Sequence, residues 1–246
     1  MSPLTLSIVI PAFNEERRLL PTLNGILAWL NAHSHHDAEI IVVDDGSLDG
    51  TASLVRMRAQ ADPRVRLLKN PGNRGKGYAV RNGMKEAQGD WILMTDADLS
   101  APIEELPKLF EAAEKAQAAV AIGSRALDRS LIGVHQGRVR ELSGIFFNLV
   151  MRIITGLPFA DTQCGFKLYR RDAARQIFPL QLLEGFGFDV EDLVIAKRLG
   201  FRTVEVPVRW NNVEGTKVSL ANGLTSFLDL VVIRSNAVRG RYRRRA

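Results

Sequence analysis

Short apolar segments alternate along the chain with longer stretches whose apolar residues recur every three to four positions. The short segments predict buried strands, and the longer stretches predict amphipathic helices, the first of them capped by Asn14. The predicted strands are residues 6–11, 39–45, 65–68, 91–95, 119–122 and 203–208, and the predicted helices are residues 15–30, 51–60, 77–87, 102–117, 142–157, 189–199 and 220–238. This alternation predicts an α/β fold with a doubly wound, mainly parallel sheet flanked by helices.

Two carboxylates, Asp96 and Asp98, directly follow the apolar run 91–95. Ligands of open α/β sheets bind beyond the carboxyl ends of the strands, and neighbouring carboxylates repel each other unless a cation or a hydrogen-bonding ligand lies between them. A hard divalent cation that also contacts substrate phosphates suits such oxygen ligands. We therefore expect Asp98 to bind a metal ion and Asp96 to assist through the same ion or a ribose hydroxyl. The alternative is a solvated turn in which an Asp caps the next helix.

Residues 72–77 (Gly-Asn-Arg-Gly-Lys-Gly) are rich in glycine but lack the spacing and the hydroxyl residue of a P-loop. The first predicted strand leads into residues 11–15 (Pro-Ala-Phe-Asn-Glu) rather than G-x-G-x-x-G, which disfavours a dinucleotide-binding fold. The glycines are expected to let the chain pass close to a ligand or a neighbouring strand. Arg74 and Lys76 are candidates for contacting a diphosphate, with a solvated side chain as the alternative for each.

The composition indicates a folded protein with a large core. Of the 246 residues, 46% are apolar and 24% are charged, which excludes global disorder. The single cysteine, Cys164, excludes an intrachain disulfide, suits a reducing compartment and is expected to pack as a small apolar residue. The first apolar run lacks the basic flank of a signal peptide, and no apolar run reaches the length of about 18 residues that a bilayer span needs. We expect a protein that is soluble or lies on a membrane.

Positive charge is concentrated at the C-terminus. The formal net charge is +6, and the last thirteen residues contain Arg234, Arg239, Arg241, Arg243, Arg244 and Arg245. The predicted helix 220–238 runs into this tail, and an apolar face joined to a polybasic end is typical of docking on an anionic membrane. The other amphipathic helix, 142–157, is either a core helix or an interfacial one. We expect peripheral attachment at the cytoplasmic side of a membrane or a membrane-embedded partner, and no nucleic acid, since no nucleic-acid module is present.

Seven segments carry a resemblance to a known family. They are residues 10–16 (IPAFNEE), 43–47 (VDDGS), 73–77 (NRGKG), 96–99 (DADL), 123–125 (GSR), 161–167 (DTQCGFK) and 210–217 (WNNVEGTK). The first four resemble family 2 glycosyltransferases of the GT-A fold, and the last three resemble its dolichyl-phosphate β-glucosyltransferases, relatives of the dolichyl-phosphate mannosyltransferases. The resemblance covers about residues 5–220. It implies one domain over residues 1–220, with a nucleotide-binding half at about 1–125, an acceptor-binding half at about 126–220, and an amphipathic helix with a basic tail at 221–246.

The resemblance implies an inverting transferase that moves a hexose from a nucleotide-sugar to a polyprenyl phosphate such as dolichyl or undecaprenyl phosphate. Asp98 and Asp96 would hold Mg²⁺ or Mn²⁺, and Asp44 or Asp45 would accept a hydrogen bond from the base. Ser100 replaces a glutamine of the mannosyltransferases, which favours UDP-glucose over GDP-mannose. The residues implied to bind the nucleotide-sugar are Pro11, Ala12, Phe13, Glu15, Asp44, Asp45, Lys76 and Asp96.

An anionic acceptor needs a cationic cradle rather than a strong base, and arginine forks match phosphate geometry. The expected contacts of the acceptor phosphate are Arg125, Arg138, Arg140, Ser143, Gln163, Lys167 and Lys217. Together with Asp96, Asp98 and Arg125, the expected catalytic residues include Asp189 and Glu191, which would orient the donor sugar or the arginines.

Three alternatives remain open from the sequence. The donor is GDP-mannose instead of UDP-glucose, or the acceptor is a soluble hydroxyl compound, for which an acid such as Glu191 or Asp192 would serve as the base. The third alternative is a non-catalytic membrane scaffold that binds nucleotide-sugars; the intact acids at Asp44, Asp96 and Asp98 argue against it.

Overall fold

A seven-stranded sheet lies at the centre of the molecule in the computed structural model, which describes residues 5–134, 138–211 and 220–243. The strands are β1 (Leu6–Ala12), β2 (Glu39–Asp44), β3 (Val65–Lys69), β4 (Trp91–Thr95), β5 (Val120–Ser124), β6 (Ile132–Val134), β7 (Phe166–Arg170), β8 (Thr203–Pro207) and β9 (Trp210–Asn211). The order in the main sheet is β3-β2-β1-β4-β7-β5-β8, while β6 pairs with β9 separately. Among the described strands of the main sheet, β7 alone runs antiparallel to its neighbours, β4 and β5. The predicted fold class, a mainly parallel sheet flanked by helices, is confirmed.

Apolar clusters on the two faces of the sheet join it to the helices. The helices are α1 (Glu16–Ala32), α2 (Thr51–Ala61), α3 (Lys76–Glu86), α4 (Leu106–Ala116), α5 (Arg138–Thr155), α6 (Arg171–Ile177), α7 (Phe188–Arg198) and α8 (Leu220–Val238). Because side chains alternate along a strand, Ile8 and Ile10 of β1 join the cluster that contains α1, and Val9 joins the cluster that contains α3. Because β1, β2 and β4 run parallel to one another, their carboxyl ends lie at the same edge of the sheet, where polar residues follow.

The prediction omits β6, β7, β9 and α6, and the predicted cap of α1 is wrong. β7 was not among the predicted strands, since its central Lys167 interrupts the apolar pattern; the strand forms because that lysine has buried ionic partners. Asn14 does not cap α1: the N-cap residue is Glu15, whose side chain forms no capping hydrogen bond with the helix. Instead Asn14 adopts a φ of 52°, and its amide oxygen accepts the Leu48 N–H at 2.8 Å, which fastens the β1 loop to the β2 loop.

Helices α5 and α8 pack against each other through the rings of Phe147 and Phe227, whose centroids lie 5.2 Å apart. One face of α5 belongs to the core, where Phe147 and Met151 are buried, but Phe146 and Ile153 are exposed on the opposite face. The sequence left a core helix and an interfacial helix as alternatives, and α5 combines a buried face with an exposed apolar one. Among the described residues, no helix is both apolar enough and long enough to cross a bilayer.

Candidate active site

A cavity of about 560 Å³ opens at the edge where β1, β2 and β4 end. A volume of this size suits a small-molecule ligand. Its wall contains the predicted nucleotide-binding residues with the exception of Asp44, namely Pro11, Ala12, Phe13, Glu15, Asp45, Lys76 and Asp96, together with Asp98. The tertiary structure thus brings into one cavity residues that lie far apart along the chain.

The turn after β4 fixes the direction of the Asp98 carboxylate. Oδ1 of Asp98 accepts the Ser100 N–H at 3.0 Å and the Ser100 hydroxyl at 2.9 Å, while Leu99 between them has a φ of 47°. Ser100 therefore holds the aspartate in place. The second oxygen, Oδ2, lies 3.8 Å from Nη1 of Arg18, which also forms two hydrogen bonds with Glu15. One carboxylate oxygen thus shapes the turn, and the other faces the positive side of the cavity.

Asp96 forms an ion pair with Lys76, whose Nζ lies 2.7 Å from Oδ1. Burial alone would lower the pKa of Lys76, but the negative charges of Asp96 and Asp189 outweigh that effect and raise the pKa. Gly165 closes the other side of Asp96: its carbonyl accepts the Asp96 N–H at 3.2 Å, and a Cβ at this position would overlap the Asp96 carboxylate. Lys76 is therefore a permanently charged group at the cavity wall, where an anion would be attracted.

The donor set fits a divalent cation that completes its coordination with substrate oxygens. The side chains of Asp96 and Asp98 are 34% and 21% exposed, so both reach the cavity. Within the described part of the chain, no group of three His, Cys, Asp or Glu residues could form a closed metal cage. Mg²⁺ in particular is usually bound by one or two carboxylates plus phosphates and water. Asp98 and Asp96 are the residues that would hold such an ion.

The two acids at the carboxyl end of β2, Asp44 and Asp45, have different environments. The Asp45 carboxylate accepts the Gly75 N–H at 2.7 Å and the side-chain amide of Asn70 at 2.7 Å, which ties the loop before α3 to the cavity wall. Asp44 is buried, and its Oδ1 accepts the Ser47 N–H at 3.0 Å. The other oxygen of Asp44, Oδ2, has no hydrogen-bond partner among the described residues. An unpaired buried oxygen is costly, and an N–H donor of a ligand would satisfy it.

Arg125 is held by the carboxylate of Asp161. Its Nε and Nη2 donate to the two oxygens of Asp161 at 2.6 and 2.8 Å, and its guanidinium lies 5.5 Å from the ring centre of Trp210. Burial would raise the pKa of Asp161, but the charge and hydrogen bonds of Arg125 lower it overall. The Asp161 carboxylate also accepts the backbone N–H of the half-buried Gln163 at 3.1 Å. Arg125 is partly exposed, so N–H groups not directed at Asp161 remain for an anion.

Lys167 occupies a different position from the one expected of an acceptor contact. It is fully buried in β7, and its Nζ donates to Oδ1 of Asp189 at 2.7 Å and lies 3.4 Å from Asp192. Asp192 also accepts a hydrogen bond from the Tyr169 hydroxyl. We therefore correct the expectation for Lys167: its ammonium neutralises buried acids instead of facing the surface. Asp189, expected to orient the donor sugar, is held by Lys167, and its charge helps to raise the pKa of Lys76 at the cavity wall.

Glu191 is likewise engaged by groups inside the protein. It is buried; its Oε2 accepts the N–H groups of Leu182 and Leu183 at 3.1 and 2.8 Å, and its Oε1 accepts the Tyr242 hydroxyl at 2.6 Å. The expectation that Glu191 orients the sugar or the arginines is corrected accordingly. Acids at the start of a predicted helix signal a favourable dipole interaction, and the sequence does not show which of them faces the ligand.

Several predicted acceptor contacts lie outside what the structure describes. Lys217 falls among residues 212–219, which are not described. Arg138, Arg140 and Ser143 belong to α5, of which the backbone but not these side chains is described. Their roles stay predictions.

The structure also adds residues that the sequence reasoning missed. Arg18, Asn73 and Phe186 line the cavity. Arg18 lies three residues after Glu15, a spacing that pairs side chains on a helix and could have indicated it. Phe186 carries no comparable signal. Cys164 is buried and burial raises the pKa of its thiol to about 12, in keeping with the expectation of a packed side chain.

Comparison with known proteins identifies relatives over almost the whole chain. The model for glycosyl transferase family 2 matches residues 7–178. A dolichyl-phosphate beta-glucosyltransferase of Trichomonas vaginalis is 37% identical over 92% of this chain and 70% of the relative. The corresponding enzymes of Saccharomyces cerevisiae and Homo sapiens are each 35% identical over 97% of this chain, covering 76% and 77% of their own lengths.

Solved structures with similar folds are more distant in sequence. Glucosyl-3-phosphoglycerate synthase from Mycobacterium tuberculosis, crystallised with Mn²⁺, UDP-glucose and phosphoglyceric acid, is 22% identical with a TM-score of 0.67, over 95% of this chain and 81% of that one. Mannosyl-3-phosphoglycerate synthase from Rubrobacter xylanophilus is 22% identical with a TM-score of 0.67, over 99% of this chain and 76% of that one. These likenesses establish the fold, which is the GT-A fold expected from the sequence.

Proposed function

The chain belongs to glycosyl transferase family 2, and from this premise we propose that it transfers glucose from UDP-glucose to a polyprenyl phosphate at a membrane surface. The relatives named above are dolichyl-phosphate beta-glucosyltransferases, which supports this acceptor class and this sugar. A structural relative that binds UDP-glucose and Mn²⁺ supports the donor and the use of a divalent cation.

The observation that carries the proposal is the state of the acids at the start of α7. Asp189, Glu191 and Asp192 are all buried, with side-chain exposures of a few per cent at most, and each is engaged by a lysine, a tyrosine or backbone N–H groups. A hydroxyl acceptor needs a base within hydrogen-bond reach of its proton. A phosphate acceptor is already an anion and needs none. The arrangement therefore favours the lipid phosphate over a soluble hydroxyl compound.

The donor is held at the edge of the sheet. We place the nucleoside against residues 11–15, with Asp44 Oδ2 or Asp45 accepting from the base, and the diphosphate beside Lys76. Asp98 and Asp96 would hold the divalent ion there, which when bound stabilises the negative charge of the departing diphosphate. Lys76 adds a fixed positive charge on the same side of the sugar, since its pKa is raised by Asp96 and Asp189.

Arg125 is the acceptor contact for which the structure offers most support. Asp161 fixes its guanidinium through two hydrogen bonds, and the Trp210 ring supports it. A pre-oriented guanidinium binds phosphate with little loss of conformational freedom. It would hold the acceptor oxygen beside the sugar while offsetting repulsion from the diphosphate.

An exposed apolar face on α5 and α8 supports attachment to the membrane in which a polyprenyl chain resides. We call it the lipid face; its exposed residues are Phe146, Leu149, Ile153, Leu228, Val231, Val232 and Val238. Exposed arginines accompany it: Arg152, Arg234, Arg239, Arg241 and Arg243. Apolar surface of this extent with a basic border suits an anionic bilayer, where each arginine near the surface contributes about 1 kcal/mol.

A transfer assay tests the proposal. The protein is incubated with polyprenyl phosphate in vesicles, Mn²⁺, and labelled UDP-glucose or GDP-mannose, and the label is followed into organic extract. We expect a metal-dependent glycolipid from UDP-glucose. Label that remains in water-soluble product, or no transfer from either donor, would contradict the proposal. A glycolipid made only from GDP-mannose would show that the donor is GDP-mannose and not UDP-glucose.

A further inference from the structure

The loop between α6 and α7 forms one wall of the donor cavity. We call residues 181–187 the donor loop; Phe186 within it lines the cavity. The loop packs on the first turn of α3, where the Tyr78 N–H donates to the Glu184 carbonyl at 3.2 Å and a Cβ on Gly77 would come within 2.7 Å of the Leu183 carbonyl. Because Lys76 of the same turn faces the diphosphate site, the position of the donor loop sets the width of the pocket.

The C-terminal segment holds this loop from behind. One oxygen of Glu191 accepts the N–H groups of Leu182 and Leu183, and the other accepts the hydroxyl of Tyr242 at 2.6 Å. Tyr242 is 2% exposed and lies beyond the end of α8, about fifty residues from the glutamate along the chain. The final described turn of the protein is therefore connected through a single carboxylate to two amides of the donor loop.

A second contact joins α8 to the other end of the loop. The carboxylate of Asp229 lies against Gly187, which occupies the N-cap position of α7. The two groups are so close that a Cβ on Gly187 would lie 2.5 Å from Asp229 Oδ2. A carboxylate at a helix N-terminus is stabilised by the helix dipole. The C-terminal segment thus contacts the donor loop at both of its ends.

Burying the Glu191 carboxylate costs free energy that attaching the C-terminal segment by apolar contacts would not require. Burying Glu191 raises its pKa, and an apolar contact would fasten the tail without that penalty. The carboxylate instead fixes geometry: its two oxygens hold the amides of the donor loop and the hydroxyl of Tyr242 in a defined position relative to each other. The match to the family model ends at residue 178, so the donor loop, α7 and α8 all follow it.

We propose that Tyr242 and Asp229 are positioning residues for the donor: they hold the donor loop against α3, so that nucleotide affinity depends on the C-terminal segment. The proposal rests on the proposed function, because it takes the cavity to be the nucleotide-sugar site. It predicts an effect on donor binding by residues that do not touch the donor.

Tyr242→Phe removes only the hydroxyl. Losing a hydrogen bond to a buried carboxylate is expected to weaken UDP binding in the presence of Mn²⁺ about three- to tenfold, measured by calorimetry. The KM for UDP-glucose should rise by the same factor while kcat stays within about twofold. Amide exchange of residues 181–187, followed by mass spectrometry, should become faster, whereas exchange in β1 should not change. Asp229→Ala provides an independent variant with the same expected pattern.

Thr155→Val is the matched control. It also removes one hydroxyl, which donates to the Met151 carbonyl at 2.7 Å within α5, and it contacts neither the donor loop nor the cavity. Equal losses of UDP affinity in this control and in Tyr242→Phe would overturn the proposal. Wild-type UDP affinity in both Tyr242→Phe and Asp229→Ala would also overturn it. If the wild-type protein itself binds no UDP with Mn²⁺, the proposed function fails and the positioning role fails with it.

Discussion

Individual carboxylates in this protein differ in role because their surroundings differ. Asp98 keeps one oxygen directed at the cavity, Asp96 is neutralised by Lys76, and Asp192 is enclosed between Lys167 and Tyr169. The pKa of Asp192 is raised to about 7, mainly by burial. The same chemical group therefore serves as a candidate ligand at the sheet edge and as a structural group in the interior.

Asp98→Asn tests the metal site at this scale. The amide oxygen still accepts from Ser100 and preserves the turn, but the charge that attracts a cation is lost. We expect kcat for glucose transfer to fall about 100-fold or more, in line with the loss of one electrostatic contact to a developing charge, while the melting temperature stays close to that of the wild type.

Asp128→Asn is a control of the same geometry for Asp98→Asn. Oδ1 of Asp128 accepts from the N–H and hydroxyl of Ser130 at 3.0 and 2.6 Å, repeating the turn of Asp98 at an exposed position. This variant should transfer glucose normally. Full activity of Asp98→Asn would contradict the assignment of the metal site.

Gly165→Ala tests whether the position of Asp96 matters. The new methyl group would overlap the Asp96 carboxylate and push it from Lys76. We expect kcat/KM to fall at least about tenfold and the free energy of unfolding to drop by about 1–3 kcal/mol from overpacking. Gly144→Ala, where the described residues outside the local helix place no atom within 4 Å of an added Cβ, should instead leave transfer unchanged and stabilise α5 by about 1 kcal/mol. An active Gly165→Ala protein would show that Asp96 tolerates displacement.

At the scale of elements, α7 is the structural junction of the site. Every residue from Phe188 to Ala196 is buried, so this part of the helix has no solvent face and its acids require partners from other elements. β7 supplies Lys167 and Tyr169, and the C-terminal segment supplies Tyr242. Apolar packing in the core holds α7 together with these ionic and hydrogen-bonded contacts, and the donor loop precedes it directly.

The pH dependence of stability provides a test of this junction. The pKa of Asp192 is about 7 in the folded protein and 3.8 as its ordinary value, so between these values the folded state holds a proton that the unfolded state has lost. The stabilisation from this group is complete below pH 3.8 and is lost as the pH rises towards 7. Asp192→Asn removes this contribution.

We therefore expect the free energy of unfolding of the wild type, relative to Asp192→Asn, to decrease from pH 4 to pH 7. Urea unfolding at several pH values measures the difference, and taking the difference cancels the titration of carboxylates shared by both proteins. A difference that is constant across this range would show that Asp192 is already ionised in the folded state.

At the scale of the whole molecule, the lipid face and the donor cavity belong to one connected structure, because α8 contributes to the face and contacts the donor loop through Asp229. Under the proposed function, the polyprenyl phosphate acceptor keeps its chain in the bilayer and must present its phosphate to the protein. Attachment through α5 and α8 would bring the protein to that phosphate without a membrane-spanning helix in the described residues.

Charge on the lipid face should prevent this attachment. The double variant Ile153→Glu with Leu228→Glu places two acids on surfaces that are 74% and 63% exposed. We expect co-sedimentation with anionic vesicles to fall at least about tenfold, since about 1.5–3 kcal/mol of apolar burial is lost per side chain. Turnover of a short-chain, water-soluble acceptor should stay unchanged.

Met57→Glu, at a 60% exposed position on α2, is the control for this variant and should bind vesicles normally. Unchanged vesicle binding by the double variant would direct attention to a membrane-embedded partner instead of the bilayer.

The sequence by itself located six of the described strands, the described α-helices except α6, and the polar residues at the strand ends. Apolar periodicity reports local structure, because a helix or strand buries one face according to its own spacing. The same logic placed Asp96 and Asp98 at a sheet edge, where the cavity lies. Local spacing did not reveal β7, whose lysine conceals a buried strand.

Only the tertiary structure decided which acids face the cavity and which support it. Asp189 and Glu191 stand in one helical turn, yet one pairs with a lysine 22 residues away and the other with a tyrosine 51 residues away. The environment of a buried charge is set by the groups that packing brings beside it, and no local pattern records those groups. The sequence therefore predicts where the site lies, while the tertiary structure determines the role of each residue within it.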